Sequence, residues 1–233
     1  MARKFIALGL SLLMLSMLSF NAFAASQAFP WVQSKTNWCW ATVAKAMIDT
    51  RTGITVPSNY VQVNDQTGIR TSYCLFSNGK YITDKAQEYI VRTYKNDSNN
   101  FQGDNKDNLT GSVTEFKSAV EGMTGYSLGS YGTWNTTPFA DATTRTDYID
   151  NRLVTNSKEI CGNAYSHGAS ASESKGHSLL IVSKTSTGSY KTWNPWTNSY
   201  VTYTPAALFS SGFNPSPFTS TTMFIENVAY FTS

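Results

Sequence analysis

Gln33-Ser34-Lys35-Thr36-Asn37-Trp38-Cys39-Trp40-Ala41 is the stretch on which the reading of this chain turns. It sets a side-chain amide six residues ahead of a cysteine, and the cysteine opens a run from Trp38 to Arg51. Within that run Trp40, Val43, Ala44, Met47 and Ile48 recur at helical spacing, and Gly53 is placed to end the helix. The unpaired N–H groups of a helix N-terminus favour an anion. The position therefore predicts a Cys39 thiol ionised at neutral pH, with Gln33 donating to a developing oxyanion.

A thiolate nucleophile needs a base, and the chain contains two histidines, His167 and His177. His177 leads the apolar run Leu179-Leu180-Ile181-Val182, where a strand would hold the imidazole, whereas His167 lies among Ser, Gly and Ala and reads as an inert loop residue. Asn194, in Asn194-Pro195-Trp196, ends a strand expected to pair with that of His177. Its amide can fix the tautomer of the imidazole, and Trp196 would shield that bond from water.

Around these residues the pattern changes character once. Thr83-Asp84 caps a stripe of Ala86, Tyr89, Ile90 and Tyr94, and Ser112 with Glu115 makes a capping box ahead of Val113, Phe116, Ala119, Val120 and Met123. A shorter helix is expected over Thr146 to Val154. From there branched and aromatic residues between Gly, Ser and Asn turns predict strands at Glu159–Tyr165, His177–Lys184, Tyr190–Trp193, Ser199–Tyr203 and Thr222–Phe231. Thr204-Pro205 can start a brief helix before the last of them. Helices first and strands later imply an α+β fold.

The ends and the composition bound the rest. Arg3 and Lys4, an apolar run from Phe5 to about Phe20, and Ala22-Phe23-Ala24 read as a cleaved signal peptide over residues 1–24, leaving one domain at 25–233 and a secreted or periplasmic product. Loss of Arg3 and Lys4 takes the net charge from +3 to +1, which offers no footprint for nucleic acid or an anionic membrane. Lys95 to Gly111, nearly all Asn, Asp, Ser, Gly and Lys, reads as an exposed loop without the spacing of a calcium site, and no metal or cofactor is expected. Three cysteines, Cys39, Cys74 and Cys161, allow three pairings. If Cys39 is the nucleophile, the remaining bridge is Cys74 to Cys161, a long loop whose closure would stabilise by about 4 to 5 kcal/mol.

Gln33, Cys39-Trp40, His177 and Asn194-Pro195-Trp196, in that order, resemble the papain-like cysteine peptidases, and the 138 residues from Cys39 to His177 fall in the range of that group. Asn37-Trp38-Cys39-Trp40-Ala41 looks closer to the bacterial secreted and effector branches than to papain, whose Cys-Gly-Ser-Cys-Trp signature is absent. The resemblance implies a nucleophile helix in a helical half, packed on an antiparallel sheet or barrel half with a cleft between them. It implies Gln33 as oxyanion amide, Cys39 as nucleophile, His177 as acid and base, and Asn194 as its orienter. A protein or peptide is the implied substrate, and the chain is expected to be a monomer. Ala25 to Val32 leave no room for an inhibitory pro-segment, so restraint by a separate inhibitor or immunity protein is expected. Other Cys-His acyl-transfer enzymes (peptidoglycan amidase, glutamine deamidase, transglutaminase) share the same chemistry as far as the thioester. A secreted binding protein with a groove lined by Trp31, Trp38, Trp40, Trp193 and Trp196 is the alternative without catalysis.

Overall fold

The structure is a computed structural model that describes residues 33, 37–51, 59–63, 70–74, 76–77, 80–81, 83–94, 111–131, 142–155, 159–166 and 176–232. The expected signal peptide, residues 95–110 of the loop expected from Lys95 to Gly111, Gly53 and His167 lie outside the described residues.

Among the described residues there are four helices: α1 (Cys39–Asp49), α2 (Thr83–Tyr94), α3 (Val113–Thr124) and α4 (Ala142–Thr155). Helix α1 ends two residues before Arg51, with Thr50 Oγ1 donating to the Met47 carbonyl at 2.7 Å. The capping box of α3 forms as its sequence predicts: Glu115 N–H donates to Ser112 Oγ at 3.2 Å and Ser112 N–H to Glu115 Oε2 at 2.6 Å. Gly125 then closes α3 at φ 73°, a conformation that a residue with a Cβ adopts only at a cost. Helix α4 is longer at both ends than the expected Thr146–Val154.

Ten strands accompany these helices among the described residues. Two small antiparallel ribbons, β1 (Asn59–Val63) with β2 (Arg70–Cys74) and β3 (Phe76–Ser77) with β4 (Lys80–Tyr81), separate α1 from α2. The sequence reading did not foresee them, nor β5 (Leu128–Tyr131) between α3 and α4. The remaining strands are β6 (Ile160–Tyr165), β7 (Gly176–Lys184), β8 (Tyr190–Asn194), β9 (Ser199–Tyr203) and β10 (Phe224–Phe231). With β5 they form one antiparallel sheet in the order β5-β10-β6-β7-β8-β9. The fold is thus a helical group on a mixed-length antiparallel sheet. As Thr204-Pro205 suggested, a short helical segment follows β9, its last turn π-helical over Ala207–Ser211, with Ala207 N–H on Thr204 Oγ1 at 3.1 Å.

Strand alternation divides the core in two. On one face Cys161, Leu180, Trp193, Ala229 and Phe231 pack against α1, α2 and α3. On the other, Ile160, Ala164, Leu179, Ile181 and Val228 pack against Ile149 of α4 and against Leu208, Phe209 and Phe213. Helix α1 is covered on every side, from Cys39 to Ile48, so its apolar stripe understates its burial. Its one buried cation, Lys45, is paired with Asp49 one turn on.

Candidate active site

The imidazole is the best-defined part of the site. His177 Nε2 lies 3.0 Å from Asn194 Oδ1. Asn194 is itself oriented from both sides: Nδ2 donates to the Ser216 carbonyl at 2.8 Å, and Oδ1 accepts the Trp196 backbone N–H at 2.9 Å. Since Oδ1 can only accept, His177 must carry its proton on Nε2, which leaves Nδ1 as the basic nitrogen. The Phe218 ring stands 5.6 Å from the imidazole at 66°. Thus Trp196, expected as the shield, contributes its backbone, and Phe218 supplies the ring against the imidazole. His177 is 3 % exposed, and burial holds its pKa down at about 4 against the supporting pull of Asn194. Within the described structure the imidazole is neutral at pH 7.

Cys39 is the first residue of α1, at a terminus that has no side-chain cap. Burial raises the pKa of its thiol, and the backbone N–H groups of Ser178, Trp40 and Cys39 with the Ser178 hydroxyl act to lower it. These contacts favour a thiolate, yet burial outweighs them and pushes the thiol's pKa up. The expected ionised thiol is therefore corrected: at 8 % exposure, desolvation exceeds what a helix terminus supplies.

Gln33 is buried and is tied to the site by its backbone, its N–H donating to the Pro195 carbonyl at 2.9 Å, one residue beyond Asn194. The structure thus brings Gln33, His177 and Asn194 together at the β8 end and packs α1, which begins at Cys39, against β7. The Cys74–Cys161 bridge is a further correction. Cys161 is a free, fully buried thiol that points to the α1 face and donates to Asn163 Oδ1 at 3.6 Å. The Cys74 side chain lies outside the described residues.

Three contributors were not singled out from sequence. Ser216 and Phe218 sit in a loop with no periodic signal. Asn163 lies on a strand that is otherwise apolar, and a polar residue at such a position was the available clue. Among the described residues no group of three or more His, Cys, Asp or Glu side chains converges as a metal site.

No protein-family model matches the chain, and no curated protein matches it. Among solved structures it is similar to the active wild-type interpain A cysteine protease of Prevotella intermedia, at 13 % identity over 88 % of each chain with a TM-score of 0.47. A likeness of that size assigns neither fold nor activity.

Proposed function

We propose that the chain is an exported cysteine peptidase, with Cys39 as nucleophile, His177 as acid and base, Asn194 as its orienter and Gln33 as oxyanion donor. The observation that supports this most is the locked tautomer: a buried imidazole with Nε2 committed to an oriented amide has one nitrogen left for proton transfer. A core histidine needs no such two-sided clamp on its partner.

In this reading the resting pair is neutral. The Cys39 proton passes to His177 Nδ1 as the sulfur attacks a peptide carbonyl, and the oxyanion is held by the Gln33 amide and the Cys39 N–H. The imidazolium returns the proton to the departing amine, whose C–N bond breaks to leave a thioester. Water, deprotonated by His177, then cleaves the thioester and restores the thiol. No cofactor enters these steps. Signal cleavage after Ala24, release to the periplasm or medium, a monomeric state and restraint by a separate inhibitor or immunity protein belong to the same proposal.

Incubation of the mature protein with casein and, separately, with cell-wall sacculi tests the substrate class. Peptide-bond cleavage that is lost in Cys39→Ala, with the fold kept by circular dichroism, is the expected result. Turnover retained in Cys39→Ala would overturn the assignment, and loss of sacculi alone would move it to an amidase.

A further inference from the structure

Trp38 and Cys39 share one peptide group, whose N–H the proposed mechanism assigns to the oxyanion. The helix start that carries it has no side-chain cap. It is anchored instead through the carbonyl of the same peptide: Trp38 O accepts the Thr42 N–H at 2.9 Å and the Thr42 hydroxyl at 2.8 Å. Both lone pairs of that oxygen are thereby used. A trans peptide sets its N–H opposite its C=O, so a carbonyl fixed along α1 aims the Cys39 N–H outward from the helix start.

The Thr42 hydroxyl is held in turn from a second helix. Gln87 of α2 places Oε1 2.9 Å from Thr42 Oγ1, so the single hydroxyl proton is shared between an acceptor on its own helix and one on the next. Thr42 and Gln87 are fully buried and Trp38 is 3 % exposed, which keeps water from replacing either partner. Burying an amide costs free energy unless it is hydrogen-bonded, and packing alone would be served by an apolar side chain at both positions. The bonds have an electronic effect as well as a steric one. Hydrogen bonds accepted by a carbonyl draw density from the peptide nitrogen and make its N–H a stronger donor.

We infer that Thr42 and Gln87 are positioning residues for the oxyanion donor: the Thr42 hydroxyl, held by Gln87, pins and polarises the Trp38–Cys39 peptide so that the Cys39 N–H is aimed before substrate arrives. The inference rests on the proposal that Cys39 is the nucleophile. Neither residue touches the reacting atoms, and both act through the peptide group, where a donor fixed in advance needs no reorganisation during reaction.

Trp38-Cys39 is the only Trp-Cys pair in the sequence, so protein labelled with ¹³C in the Trp carbonyl and ¹⁵N in Cys gives one HNCO peak, that of this peptide. Thr42→Val keeps the side-chain shape and loses the hydroxyl. It should move the peak upfield in carbon and in nitrogen, and should lower kcat for a peptide about fivefold at unchanged KM, the scale of one hydrogen bond. Thr42→Ser should restore both. Gln87→Leu should move the peak in the Thr42 protein and add nothing in Thr42→Val. Should Thr42→Val fail to fold, Gln87→Leu decides, and an unmoved peak there overturns the inference. An unmoved peak in Thr42→Val, or an equal displacement by Gln87→Leu with and without the Thr42 hydroxyl, also overturns it. The peak needs no substrate. If it moves as expected but the wild type cleaves no peptide, the peptidase reading fails and the hold on the peptide group stands; if the wild type cleaves peptide and the peak or kcat is unchanged in Thr42→Val, the reverse holds.

Discussion

Asn194 is held to the Ser216 carbonyl through Nδ2 and to His177 through Oδ1, so a loop distant in sequence determines which imidazole nitrogen carries the proton. Replacing Asn194 by Ala removes the acceptor for Nε2–H while leaving the strand pairing of β8 intact. Peptide cleavage should fall about 10²-fold, and ¹⁵N NMR of the His177 ring should change from a single Nε2–H tautomer to a mixture. A ring that keeps its tautomer in Asn194→Ala would separate the orientation of His177 from this contact.

Phe218 bears on the same imidazole by keeping water from it. Phe218→Ala should raise the His177 pKa from about 4 back toward the ordinary histidine value by roughly one unit. An NMR titration of the ring reads this directly. No movement would assign the desolvation to other neighbours.

Acid stability follows from the same burial. His177 titrates at about 4 in the folded chain against 6.5 as its ordinary value, so between those values the unfolded chain binds a proton that the folded chain refuses. Stability from this group is complete above pH 6.5 and is lost as pH falls toward 4, by on the order of 3 kcal/mol. Urea titrations at pH 7 and pH 4.5 should show the loss, and His177→Gln should reduce it. An equal loss in the variant would place the acid sensitivity elsewhere.

Gly111 lies against the ring of Trp40, the neighbour of Cys39: a Cβ at this position would come within 2.2 Å of Trp40 Cδ2. Trp40 is 2 % exposed and has little room to withdraw. Gly111→Ala should cost about 1 to 3 kcal/mol and should lower the alkylation rate of Cys39 together with the melting temperature. A melting temperature equal to that of the wild type would show that the indole moves freely.

Ser112 offers the matching control one residue away. Ser112→Ala opens the capping box of α3 and should cost about 1 kcal/mol. Thermal unfolding should shift and Cys39 alkylation at 25 °C should not. A change in alkylation would connect α3 to the nucleophile by a route other than Trp40.

Local signals in the chain were legible where the physics is local. Trp40, Val43, Ala44 and Met47 marked a helix at Cys39, Ser112 with Glu115 marked the start of another, and the branched runs marked β6 to β10, because periodicity and capping act over a few residues. The candidate site residues were readable for the same reason, as chemistry-bearing side chains at element ends. Short ribbons such as β1–β2 and the strand β5 were not, since strands of that length gain their stability from partners far along the chain.

What the sequence alone determined, then, was the inventory: a cysteine at a helix start, one histidine leading a strand, one asparagine ending the next. Only the tertiary structure decided their states. Charge in a protein depends on what water can reach, and no residue list contains that. Packing buried Cys39 and His177 into neutral forms, left Cys161 a thiol beside Asn163, and drew Ser216 and Phe218 in from a loop to orient and cover the imidazole.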